Sequence, residues 1–217
     1  MDHDFWLKAW QEGRTAFHQE SASPFLVKYT HYLKIKDHQH VLLPLCGKTL
    51  DLLYFEELGL KVTGIELSPL AVEQFKSEHP REYKVSEHPP FTVHQHNELS
   101  IWCGDFFDFT PEKTSPIDFI FDRAAMVALP PDLRREYAEH LNRFVDKGAK
   151  LMLVTIEYPQ DKIQGPPFSV PENEVRALYQ DRKIEILERK GMEATGEKFV
   201  QAGVHSMDVV CTLISKN

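Results

Sequence analysis

The sequence predicts an α/β protein built on a mostly parallel sheet. Short apolar runs alternate with segments of helical period, the pattern of βαβ units. Residues 41–46 form a nearly continuous apolar run that stops at Gly47, as a strand buried on both faces does. With 217 residues and 42% hydrophobic content the chain can bury one good core, so a single domain over residues 1–217 is expected.

The elements follow in order. An amphipathic segment with Trp6 and Trp10 comes first, then Gly13-Arg14-Thr15-Ala16-Phe17-His18, then a helix from about Pro24. Residues 1–38 read as a helical cap on the sheet, because ligands of such sheets bind beyond the carboxyl ends of the strands. The first strand begins near His40. Leu50, Leu53, Tyr54 and Leu58 recur at helical spacing, and Gly59 stops that helix. A strand over residues 61–66 precedes Ser68-Pro69, a capping hydroxyl followed by proline at the first helical position, so a helix is expected to about Ser77.

Residues 79–97 mix prolines, histidines and charges without period and predict an irregular, mobile excursion or lid. Strands are expected at 99–103 and 117–122, with a helix marked by Leu133, Tyr137, Leu141 and Phe144. A further strand at 150–156 leads to a helix from about Pro171. Glycines 191, 196 and 203 argue against a crossover helix between the last two strands, 184–187 and 207–214, so that pair should be antiparallel.

Composition excludes several classes. No apolar run approaches the ~18 residues that cross a bilayer, and the acidic start lacks the basic and apolar segments of a secretion signal. A cytoplasmic location is expected. Cys46, Cys103 and Cys211 lie far apart and form no CxxC pair, which argues against a disulfide framework. A formal charge of −8 without a Lys/Arg cluster disfavours nucleic acid. His94 and His96, with His88 upstream, lie in a polar stretch without a nearby cysteine, and no metal site is expected.

The turn after the first strand separates three ligand types. Gly47-Lys48-Thr49 resembles the end of a phosphate loop, but that motif needs a glycine where Leu42 stands mid-strand. A dinucleotide requires G-x-G-x-x-G, and residues 45–50 offer one glycine. A nucleoside without phosphate, such as S-adenosylmethionine, needs only close backbone approach at Gly47 and an acid for the ribose hydroxyls. Glu66 stands nineteen residues later, at the end of the second strand. Asp105, after Cys103-Gly104, is placed to accept from an adenine amino group. Asp122-Arg123 emerges from an apolar strand and is expected to face the crevice, with Arg123 orienting an anionic acceptor or stabilising a thiolate. Rival readings are a nicotinamide-dependent oxidoreductase and a metabolite binder without catalysis.

Taken together, these residues resemble the thiopurine S-methyltransferases, a family with bacterial members linked to methylation of selenium and tellurium compounds. The resemblance runs through Trp10 with residues 13–18, Pro44-Leu45-Cys46-Gly47-Lys48, Gly64-Ile65-Glu66-Leu67-Ser68, Asp122-Arg123-Ala124-Ala125 and Gly165-Pro166-Pro167-Phe168. It implies a Rossmann-like class I methyltransferase fold: seven strands, the last antiparallel, with helices on both faces. It also implies S-adenosylmethionine as cofactor, held by Trp10, Leu45, Gly47, Glu66 and Arg123, with Asp105 and Phe106 beside the adenine. Phe17, Pro166, Pro167 and Phe168 would lie near the acceptor, and Lys198 and His205 are candidates for a second basic residue there. The expected activity is monomeric and detoxifying: in-line methyl transfer to a small thiol or metalloid, with Arg123 as the catalytic residue and Trp10 covering the cofactor.

Overall fold

The computed structural model describes residues 3–217. It forms two compact units, one running to Phe121 and the other from Asp122 to Asn217. In the first unit, helices α1 (His3–Gln11) and α2 (Pro24–Leu33) precede β1 (His40–Leu43). There follow α3 (Asp51–Glu57), β2 (Lys61–Glu66), α4 (Pro69–Glu78), β3 (Lys84–His88), β4 (Phe91–His96), β5 (Leu99–Cys103) and β6 (Phe119–Arg123), whose last two residues already belong to the second unit. The strand order is β3-β4-β5-β2-β1-β6. The pairs β5/β2, β2/β1 and β1/β6 are parallel, while β4 runs antiparallel to both β3 and β5.

Local chemistry accounts for these elements. All four residues of β1 are buried, which requires the unbroken apolar run. Ser68 caps α4, its Oγ accepting from the Ala71 amide at 3.3 Å with Pro69 in the first turn, and Ala71, Val72 and Phe75 form the buried stripe. Helix α3 comes close to β2 at Gly64. A Cβ there would lie 2.8 Å from Cys46 Sγ and 2.9 Å from a Leu52 methyl, so only glycine fits.

One expectation fails. Residues 79–97 are not an irregular lid: β3 and β4 form an antiparallel hairpin that extends the sheet from β5. Pro89-Pro90 occupies its two-residue turn. The strand signal is hidden because β3 is an edge strand exposed at nearly every position, so its polar residues face water on both sides. This hairpin supplies the two strands beyond the seven expected, making nine among the described residues.

In the second unit, a 3-10 turn at Met126–Ala128 leads to α5 (Pro131–Asp146), β7 (Lys150–Glu157), α6 (Glu172–Leu178), β8 (Arg182–Glu193), α7 (Glu197–Gln201) and β9 (Ser206–Lys216). Tyr137, Leu141 and Phe144 line the buried face of α5. Strand β9 pairs antiparallel with both β7 and β8. The glycine-bearing stretch between β8 and β9 accommodates only the five-residue α7, and the final pair is antiparallel as expected. No helix among the described residues is long and apolar enough to cross a membrane.

The Gly64→Ala variant should lose about 1–3 kcal/mol of stability, the usual cost of overpacking a close contact. A urea midpoint equal to that of the parent protein would show that β2 and α3 are less tightly apposed than the geometry requires.

Candidate active site

The turn after β1 is held in an unusual backbone conformation. Leu45 (φ 47°) and Gly47 (φ 55°) both lie in the left-handed region. For Leu45 this costs of order 1–2 kcal/mol, a strain that persists only where surrounding bonds enforce it. One of them runs from the Cys46 amide to the Ile65 carbonyl of β2 at 2.9 Å. Gly47 also needs its missing side chain: a Cβ would sit 3.1 Å from the Trp10 ring and 3.8 Å from Phe17.

Glu66 joins the pieces. Its Oε2 accepts from the Gly47 amide and its Oε1 from the Ser68 amide, each at 2.7 Å. The carboxyl is buried, and among the described residues no cation pairs with it. Burial pushes its pKa up to about 7 against the opposing pull of these amides and that of Leu67. Each oxygen keeps a lone pair, so the group can still accept from two further donors. The neighbouring thiols are held protonated, chiefly by burial and then by Glu66; Cys103 is pushed up to about 11, and Cys46 also moves well upward. Neither is a thiolate nucleophile.

Aromatic rings from the N-terminal segment line this turn. Trp10 is buried and meets Phe17 edge-on at 5.6 Å, and Phe17 meets Trp6 at 5.9 Å. At the end of β5 the Gly104 amide donates to the Glu66 carbonyl at 2.9 Å, which brings Asp105 and the buried Phe106 to the same edge. Asp105 Oδ1 accepts from the Phe107 amide at 3.0 Å, and Oδ2 lies 2.8 Å from His3 Nε2 of α1. His3 has no sequence signal: a lone histidine near the start of the chain becomes informative only when its distant partner is known.

Trp10, Phe17, Leu45, Gly47, Glu66, Asp105 and Phe106 therefore gather around the carboxyl ends of β1, β2 and β5. This set fits S-adenosylmethionine better than a phosphate-bearing cofactor. The Gly47 amide, which a pyrophosphate would require, is already bonded to a carboxylate whose charge would repel it. The remaining lone pairs of Glu66 suit a pair of ribose hydroxyls.

The other expected residues belong to the second unit. Arg123 ends β6 and is half-buried. Its neighbour differs from expectation: Asp122 is wholly buried and faces the interior of its unit rather than a crevice. Its Oδ1 accepts from the Met126 amide at 3.1 Å and its Oδ2 from the Tyr137 hydroxyl at 2.8 Å. These donors replace the water that the sequence pattern appeared to demand. Burial raises the Asp122 pKa to about 6.

In the loop Gly165-Pro166-Pro167-Phe168, side chains hold the carbonyls. Lys198 Nζ donates to the Gly165 and Pro166 carbonyls, both at 3.0 Å, and the Tyr158 hydroxyl donates to that of Pro167 at 2.6 Å. Lys198 thus directs two of its three N–H donors into the loop. His205 is exposed, and its carbonyl accepts from the Ala194 amide.

Comparison with known proteins agrees with this geometry. A family model described as Thiopurine S-methyltransferase (TPMT) matches residues 1–217. The chain belongs to the thiopurine S-methyltransferase family. A Thiopurine S-methyltransferase of Pseudomonas fluorescens is 40% identical over 205 residues, spanning 94% of this chain and 92% of that protein. Among solved structures, the Burkholderia thailandensis 1,6-didemethyltoxoflavin-N1-methyltransferase, with bound 1,6-didemethyltoxoflavin and S-adenosylhomocysteine, has a TM-score of 0.65 at 14% identity, covering 99% of this chain and 87% of that one. A SAM-dependent methyltransferase from Anabaena variabilis has a TM-score of 0.67 at 12% identity, covering 99% and 95%. The fold is that of the Rossmann-like class I methyltransferases. This member of the family is an S-adenosylmethionine-dependent methyltransferase with a small-molecule acceptor.

Glu66 gives the free protein a distinctive titration. Its folded pKa of about 7 lies above the ordinary glutamate value of 4.5. Relative to Glu66→Gln, the stability it contributes is therefore full below pH 4.5 and is lost as pH rises through 7, a change of about 3 kcal/mol. Urea unfolding of both proteins at pH 5 and pH 8 measures it; a stability difference that does not change with pH would show that Glu66 titrates normally.

Proposed function

We propose that this family member transfers the methyl group of S-adenosylmethionine to the sulfur of small aromatic or heterocyclic thiols, and that soft selenium or tellurium nucleophiles share the site. The observation that carries the cofactor half is the Glu66 carboxylate bonded to the Gly47 and Ser68 amides. The thiol half is supported by the name of the relatives at 40% identity.

When bound, the cofactor supplies a methyl group activated by its sulfonium. The chain's part is to hold the reactants. Glu66 accepts from the ribose hydroxyls, while the backbone at Leu45 and Gly47 allows close approach of the amino-acid moiety. Asp105 accepts from the adenine amino group, with Phe106 against its ring. Trp10 offers an aromatic face to a cation, a contact worth ~0.5–2 kcal/mol, and residues 1–38 serve as a cap.

In the second unit we assign Arg123, Pro166, Pro167 and Phe168 to the acceptor; the assignment of Phe17 rests on the family resemblance alone. The Arg123 guanidinium favours the anionic form of a thiol, so no strong general base is required. Alignment of nucleophile, methyl carbon and leaving sulfur supplies ~7–11 kcal/mol of barrier reduction.

Two measurements test these assignments. Calorimetry with S-adenosylhomocysteine should show Glu66→Gln binding ~10- to 100-fold more weakly, the value of ~1.5–3 kcal/mol for a charged acceptor. Because Glu66 must be ionised to accept both hydroxyls, wild-type affinity should rise with pH up to about 7 and level off above it; affinity independent of pH and of the substitution would exclude the assignment. Arg123 is assigned to the cofactor as well, and methyl transfer to 2-mercaptobenzoate should fall at least tenfold in kcat/KM in Arg123→Met. Equal turnover would remove Arg123 from the acceptor site.

A further inference from the structure

Asp122 is a buried carboxylate that the cofactor chemistry does not use. Among the described residues it has no cation partner, and its two oxygens receive the Met126 amide and the Tyr137 hydroxyl. Between Asp122 and Met126 the backbone passes through Ala124 at φ 62°, a conformation ordinary for glycine and strained for alanine. The bond from the Met126 amide to Asp122 closes the five-residue span that contains this strain. It thereby fixes the direction in which Arg123, one residue before Ala124, leaves the strand.

The same turn has a second client. In the 3-10 turn Met126–Ala128, the Val127 carbonyl accepts from the Phe168 amide at 2.6 Å. Phe168 ends the Gly165-Pro166-Pro167-Phe168 loop. Its amide matters there because the two prolines have no N–H to donate. A single chain of bonds thus runs from Tyr137 through Asp122 to the turn, and from the turn to Phe168.

We propose that Asp122 is a positioning residue for methyl transfer: through the strained Ala124–Ala128 turn it sets both the exit of Arg123 and the seat of Phe168. The proposal rests on the reading that these two residues take the acceptor. Glu66, Asp105 and the turn at Gly47 lie outside it, so the acceptor effect is read against the cofactor loss that Arg123→Met alone produces. A carboxylate is suited to the task because both of its oxygens accept, Oδ1 from the Met126 amide and Oδ2 from the Tyr137 hydroxyl, with the Ala125 amide also bonding to the group, whereas an amide has only one acceptor oxygen.

The test compares wild type with Asp122→Ala, Asp122→Asn and Arg123→Met. Amide hydrogen exchange at Phe168, which Asp122 does not touch, should accelerate at least tenfold in Asp122→Ala. KM for 2-mercaptobenzoate should rise at least tenfold, with affinity for S-adenosylhomocysteine falling no further than in Arg123→Met. Adding Ala124→Gly to Asp122→Ala should restore part of the KM, because glycine adopts the turn without enforcement. Should Asp122→Ala fail to fold, Asp122→Asn carries the same comparison, because its NH2 replaces one of the two acceptor oxygens. Unchanged Phe168 exchange, or cofactor affinity lost beyond that of Arg123→Met, overturns the proposal. If Arg123→Met leaves acceptor KM unchanged, the acceptor reading fails instead, and Phe168 exchange still judges Asp122.

Discussion

The first unit depends on one carboxylate bonded to two backbone amides. Glu66 ends β2, Gly47 lies in the turn after β1 and Ser68 opens α4, so one side chain ties a strand end, a turn and a helix start together. A buried acid without a cation is costly, as its elevated pKa records. Its two amide donors offset only part of that cost. The rest is the driving force for further donors to enter, which makes the site receptive to a vicinal diol. The same bonds turn phosphates away, because the amide they need already serves an anion.

The second unit solves a related problem at its loop. Prolines at 166 and 167 remove two amide donors, so regular secondary structure cannot set the path there. Side chains from two helices and a loop take over: Lys198 of α7 holds the Gly165 and Pro166 carbonyls, Tyr158, just after β7, holds that of Pro167, and Arg134 of α5 donates to the Ser169 carbonyl at 2.9 Å. Tyr158 in turn packs edge-on against Phe199 at 5.2 Å, in a small apolar cluster with Ile163, Ala194 and Val204. A loop held in this way has a definite shape without being a helix or a strand.

Much of this was legible in the sequence, and the exceptions share a cause. The apolar run 41–46, the Ser68-Pro69 cap and the glycines 191, 196 and 203 reported local constraints, and local constraints survive in a linear string. The spacing of Gly47 and Glu66 was informative because the fold brings adjacent parallel strands to a common edge. Asp122 misled: an acid beside an arginine at a strand end looks solvated, and only the Tyr137 hydroxyl, fifteen residues away, explains its burial. His3 against Asp105 and Lys198 against the 165–166 carbonyls were invisible for the same reason, since each pairs residues far apart in the chain.

The hairpin β3–β4 was concealed by the property that makes it useful. A sheet ending at β5 would present a buried-type strand, Leu99-Ser100-Ile101, with open hydrogen-bonding groups along its side. Instead the last strand is β3, whose Lys84, Glu87 and His88 stand in water and whose chain runs into two consecutive prolines. Charges and prolines are poor templates for another strand. The hairpin is a hydrophilic selvage: it lets the sheet stop growing and discourages neighbouring molecules from stitching themselves on.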